Sequence, residues 1–166
     1  MSTDDAEKTF TGFFGNLQQA HARIEERLQE LEGAADAVTE PARAPKALET
    51  MASVLEFFST FGAQHTEDEE KTLFPRLQPL PDFKLMLAAF DFQHRMVETE
   101  QRALAARVQG FTPAGAAGLR EQAHRFVEVH RAHILAEERG LFPLAEKHLP
   151  RRVLVAMTLE LRVLNA

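Results

Sequence analysis

The chain contains no cysteine, no tyrosine and no tryptophan. Without thiols there is no disulfide, iron–sulfur cluster, thiolate zinc site or cysteine nucleophile. Without a phenol there is no tyrosinate ligand or radical carrier. The 13 phenylalanines leave a core of phenyl and aliphatic groups. No apolar run reaches the roughly 18 residues that span a bilayer, so no membrane partner is expected. A cationic surplus is also missing, and the net charge of −6 argues against nucleic acid. Met1 to Lys8 is acidic and polar, unlike a secretory leader, which together with the lack of cysteine suits the cytoplasm. At 166 residues, one domain spanning 1–166 is expected, with enough chain to bury a core unaided.

What the chain does have is one stretch written twice. Residues 65–75 and 133–143 both read H-x-x-x-E-E-x-x-L-F-P. A His and a Glu four residues apart lie on one face of a helix, so His65/Glu69 and His133/Glu137 can present an imidazole and a carboxylate to the same point. Prolines and glycines divide the rest into helical blocks. Block A covers about 4–32, with the stripe Phe10, Phe14, Leu17, His21, Ile24, Leu28, Leu31 and Gly33 as its stop. Block B covers about 45–73, through Leu48, Met51, Leu55, Phe58, Gly62, His65 and Glu69. Block C covers about 82–109, with Asp82 as N-cap and His94 on its stripe. Block D covers about 116–141, through Leu119, Ala123, Phe126, His130, His133 and Glu137. The two Leu-Phe-Pro segments are expected to end helices and seal one end. The fold expected is all-α: an antiparallel up-down-up-down four-helix bundle over about 4–143, with a short extra C-terminal helix at about 151–164. That last helix either caps the bundle or meets a protein partner such as a second copy.

Each long block carries a histidine on its apolar stripe, followed four residues later by glutamate: His21/Glu25, His65/Glu69, His94/Glu98 and His133/Glu137. One such histidine alone is usually an ordinary core residue. Four meeting in one bundle are different, because carboxylates are rarely buried unless paired or on a metal. Burying them unpaired costs about several kcal/mol each. Imidazole and carboxylate without sulfur suit iron, manganese or zinc. Six such ligands exceed one tetrahedral zinc and match two ions sharing carboxylates, with redox-active iron the leading choice. The halves echo one another as a duplicated helical hairpin.

These residues carry a resemblance. Gln-Gln-Ala-His21-Ala-Arg-Ile, His65-x-x-x-Glu69-Glu70-x-x-Leu-Phe-Pro75, Phe-Gln-His94-Arg and His133-Ile-x-x-Glu137-Glu138-x-x-Leu-Phe-Pro143 resemble the hemerythrin-like (HHE cation-binding) family over about residues 10–148. The resemblance implies a non-haem di-iron centre, with His21, His65, His94 and His133 as terminal ligands and Glu69 and Glu137 as bridges. The oxygen carriers of the family have a second histidine four residues after the first in block C, where this chain has Glu98. They also place the last carboxylate five residues after its histidine, which points to Glu138 as the alternative to Glu137. His130 has three open readings: a fifth imidazole ligand, the wall of a small-molecule pocket, or a core histidine. Glu98 is a further candidate ligand, and Glu25 is more in keeping with a solvated or supporting group. His124 and His148 are expected to face outward. Phe58, Phe90 and Phe126 are expected to wall the site against water.

The function so implied is a di-iron protein that binds or senses O2, NO or peroxide. The alternatives are a di-iron peroxidase, an NO-detoxifying enzyme or an iron-handling protein. Zinc and manganese remain alternative metals. A ferritin-like carboxylate bundle is set aside, because its Glu-x-x-His signature occurs only as Glu121-x-x-His124, off the core stripe. An interaction bundle with a vestigial metal site is the remaining rival.

Overall fold

A computed structural model describes residues 12–161 of the chain. Among these residues its secondary structure is helical, with no strand. Helix α1 is Phe13–Ala37. Helix α2 runs over residues 44–77, with wider π turns at Phe58–Gly62 and Glu69–Leu73. Helix α3 is Lys84–Gln109. Helix α4 runs over residues 116–148, with one π turn at Glu137–Leu141. Helix α5 is Arg151–Glu160. Helix α1 packs along α2 and α4, and α3 packs along α4 and against α2.

The 3-4 spacing in α1 does what its pattern requires: Phe14, Leu17, His21, Ile24, Leu28 and Leu31 are all buried. Phe10 and the start of block A lie outside the described residues. Gly33 does not stop the helix. It sits on the solvent side in ordinary helical backbone, and Ala34, Ala35 and Ala37 continue the buried face beyond it. In α2 the buried stripe is turned slightly from the one read in the sequence. Ala47, Met51 and Val54 are buried, while Leu48 and Leu55 are only partly covered. Asp82 does not cap α3; it lies in a 3-10 turn, Pro81–Phe83, that drives Phe83 fully into the core.

The largest departure concerns the Leu-Phe-Pro segments, which do not end helices. Proline removes an N–H and crowds the carbonyl four residues back. Here a π turn ends two residues before each proline. The Phe74 N–H reaches back to the Glu69 carbonyl and the Phe142 N–H to the Glu137 carbonyl, five residues rather than four. The ladder shifts by one residue, and the helices continue to Leu77 and His148. Such turns are frequent at functional sites.

The apolar interior is in two parts. One gathers Ile24, Leu28, Met51, Phe58, Leu104 and Phe126. The other gathers Phe13, Leu17, Phe83, Phe90, Leu141 and Phe142, together with Met157 and Leu161 at the C-terminal end of the described chain. Helix α5 therefore caps the second part through Met157. Residues 162–164 of the expected C-terminal helix lie outside the described residues. Arg131 of α4 ties itself to α1 by hydrogen bonds of 2.7 Å to both Glu25 and Glu32. No described helix is long and apolar enough to cross a membrane.

Phe126 is fully buried, whereas Leu85 is 84% exposed. Phe126→Ala is expected to lower unfolding free energy by about 3–5 kcal/mol, and Leu85→Ala to change it by less than about 0.5 kcal/mol. Urea titration of the two variants beside the parent checks this.

Candidate metal centre

Between the two apolar regions lies a layer of histidine and glutamate. Two sets of side chains each bring four ligand atoms within 4.8 Å of one another: His21, His65, Glu69 and Glu137, and Glu69, His94, His133 and Glu137. The sets share both carboxylates. Each carboxylate turns one oxygen to each set. Glu69 Oε1 lies 3.5 Å from His65 Nε2, and its Oε2 lies 3.4 Å from His94 Nε2. Glu137 Oε2 lies 3.2 Å from His21 Nε2, and its Oε1 lies 3.3 Å from His133 Nε2 and 3.7 Å from His94 Nε2. The Nε2 atoms of His21 and His65 face each other at 3.0 Å.

The chemistry of these donors fits a cation. Glu69 and Glu137 are fully buried, and none of their four oxygens has a hydrogen-bond partner. Among the described residues their ion-pair partners are all imidazoles. His94 Nε2 also lacks a hydrogen bond, so its approach to both carboxylates is electrostatic only. Two bare carboxylates in a protein interior demand positive charge. In the absence of a cation the imidazoles answer that demand. Burial pulls the His94 pKa down, but the neighbouring carboxylates of Glu137, Glu69 and Glu70 outweigh it and raise it to about 11. His21 is likewise pulled down by burial and raised on balance to about 9, chiefly by Glu137. Burial favours neutral Glu137, yet the charges of His133, His21 and His94 hold it well below the usual carboxylate range. Burial lowers His65, His133 and His130.

A second layer explains the length of the repeated motif. His94 Nδ1–H donates to Glu70 Oε1 at 2.9 Å, and the ring of His94 stacks on Phe74 at 5.6 Å between centroids. His21 Nδ1–H donates to Glu138 Oε1 at 2.9 Å, and the ring of His21 stacks on Phe142, also at 5.6 Å. Each motif copy thus sends its first Glu into the shared layer, and uses its second Glu and its Phe to seat a histidine of another helix. Binding Nδ1–H in this way leaves the Nε2 lone pair free to face the layer. His133 Nδ1 has Gln93 Oε1 at 3.1 Å, while His65 Nδ1 has no partner. These supporting roles of Glu70, Phe74, Phe142 and Gln93 were missed in the sequence, although the Glu-Glu doublet and the Leu-Phe pair were visible signals.

Of the other candidates, Glu138 supports His21 and belongs to neither set. Glu98 is exposed and paired with Arg102. His130 is buried but lies outside both sets, its ring 6.4 Å from that of His133. Glu25 is held by Arg131. His124 is partly exposed against Asp36, and His148 is exposed. The phenylalanine wall is divided: Phe58 and Phe126 touch His130, whereas Phe90 stands in the other apolar region, 6.0 Å from His133.

Two outcomes follow for the metal-free and loaded protein. Glu70→Ala is expected to weaken metal retention about 10–100-fold in competition with a chelator, and Glu98→Ala to leave it unchanged. In chelator the pH dependence of stability has a worked sign. The lowered His65, His133 and His130 shed protons on folding, so stability rises as pH climbs to about 6.5. The raised His21 contributes fully below 6.5, and its contribution is lost as pH passes through about 9. Urea midpoints measured across pH are expected to peak near 6.5, and a continued rise toward 9 would contradict the charge assignment.

Comparison with known proteins agrees with this geometry. No curated protein and no solved structure was found to match the chain. Residues 13–145, which include all six residues of the shared layer, match the family model of the hemerythrin HHE cation binding domain. The match takes in most of the chain, so the protein belongs to the hemerythrin HHE cation-binding family, whose domain implies binding of a metal cation, and its buried His/Glu layer fits such a site.

Proposed function

We propose that the protein is a non-haem di-iron protein that binds or senses O2, NO or peroxide. The observation carrying this reading is the pair of buried carboxylates whose four oxygens are unpartnered and divided between two histidine pairs. His21 and His65 would hold one ion, His94 and His133 the other, with Glu69 and Glu137 between them. Nitrogen and oxygen donors without sulfur suit iron, and two adjacent ions sharing carboxylates suit a redox pair. Iron so held would supply exchangeable positions for a small molecule and electrons to reduce it.

The protein's own residues have separate tasks. Glu70 and Glu138 hold the protons on the Nδ1 atoms of His94 and His21, fixing those rings. Phe74 and Phe142 lie flat against the same rings and keep them from turning. Phe58 and Phe126 pack against His130 on one side, and Phe90 stands near His133 on the other. The reading includes an antiparallel up-down-up-down arrangement of α1 to α4 forming one domain over 1–166. The short links between these helices and the packing of α1 on α2 and of α3 on α4 support it.

Anaerobic loading with ferrous iron is expected to give about two irons per chain, with new near-ultraviolet absorption on exposure to O2 or azide. Loading at neutral pH is also expected to acidify a weakly buffered solution, because the cation displaces protons held by His21 and His94. His65→Ala and His133→Ala are each expected to lose iron. Parent-like iron content in both variants, or less than one iron per parent chain, would sink the reading.

A further inference from the structure

The two motif copies are near-equivalent, but the helical turn before them is not. Three residues before His133 stands His130; three residues before His65 stands Gly62. Helix α2 widens there into the π turn Phe58–Gly62, whereas α4 stays regular up to Ala136. Phe58 and Phe126, which occupy equivalent places in the two copies, meet edge to face at 5.0 Å. His130 packs against both, at 4.9 and 5.3 Å. Its Nδ1 is buried and has no hydrogen-bond partner.

At this place a cleft of about 650 Å³ opens between α2 and α3. Exposed Ser59, Thr60, Glu98 and Arg102 stand at its mouth, and Gly62, His94 and His130 line it further in. Gly62 contributes no side chain; a Cβ there would come within 3.1 Å of Phe58 Cδ1. Glu98, at the position where the carriers have a second histidine, leaves this side open by turning outward to Arg102. A smaller hollow of about 250 Å³ between α3 and α4 reaches His133 past Met96 and Val129. Its polar groups, Gln93 and His133, already pair with each other.

We infer that the cleft between α2 and α3 admits a small polar guest of two or three non-hydrogen atoms, of the peroxide or azide class, and that the His130 imidazole hydrogen-bonds that guest beside His94. A buried imidazole nitrogen with no partner is one half of a hydrogen bond. His130 is too far from the shared layer to join either set of ligand atoms, yet it stands in the cleft that reaches His94. The polar mouth favours a polar guest over an apolar one. The apolar contacts of His130 with Phe58 and Phe126 fix its ring, so the guest meets a positioned group. This role rests on the di-iron reading above, since the guest's other end is held at the centre.

The test is an azide titration of the iron-loaded protein, with iron content measured on every sample. His130→Phe fills the same space without a donor or acceptor, and His130→Gln retains both. Ala63→Trp, at an exposed position on the cleft wall, narrows the entrance without entering the shared layer. All are expected to keep parental iron content. His130→Phe is expected to raise the azide Kd about tenfold or more, and His130→Gln to stay within about threefold of the parent. Ala63→Trp is expected to slow azide association with little change in Kd. A parental Kd in His130→Phe, or parental association in Ala63→Trp, overturns the inference. So does loss of iron from both His130 variants, which would make His130 a ligand of the metal. Failure of the parent itself to hold iron overturns the di-iron reading, and this inference with it, and is separable because it appears before any azide is added.

Discussion

Two glutamates face each other's histidines in the middle of the bundle with every carboxylate oxygen bare, and this demand for positive charge organises the protein. It dictates why four helices must each bring an imidazole to one level. It dictates why apolar packing is divided into two regions rather than forming one continuous core. The charge is answered locally, by protons on His21 and His94 when no cation is present. Everything next to the layer serves to aim it: two carboxylates behind two rings, and two phenyl groups flat against those same rings. The interior is thus a compromise in which a costly polar layer is tolerated because it is the site.

Helix geometry bends to the same constraint. A regular helix through His65–Pro75 would have to present Glu69 inward, present Glu70 and Phe74 sideways, and absorb a proline within eleven residues. The π turn beginning at Glu69 meets these demands at one place, and its twin beginning at Glu137 does the same in α4. The change of helical register and the construction of the site are therefore the same feature.

Much of this was legible in the sequence because it rests on period and residue type. The stripe from Phe14 to Leu31, the histidine on each long helix, and the doubled His/Glu pair all follow from spacing along one helix. What could not be read depends on rotation between helices. Glu98 and Glu69 look alike as residues four after a histidine, yet one points to solvent and the other to the centre. Glu138, the alternative to Glu137 by analogy with the carriers, stands behind His21 of another helix. Gly33 and the two prolines carry strong stop signals. They were overridden by burial of Ala34, Ala35 and Ala37 in one case and by the π turns in the other. Propensity loses to packing where the buried face continues.

The seating of the histidines also crosses the repeat. Glu70 and Phe74, in the first half of the chain, hold His94 of the second. Glu138 and Phe142, in the second, hold His21 of the first. Neither half seats its own leading histidine. The exchange has the reciprocity of an isologous dimer interface written within one chain, in which patch i serves j and patch j serves i. Its consequence is mechanical: the seam between the halves and the aim of the two imidazoles are one degree of freedom, so any movement that opens the seam loosens both sets of donors together.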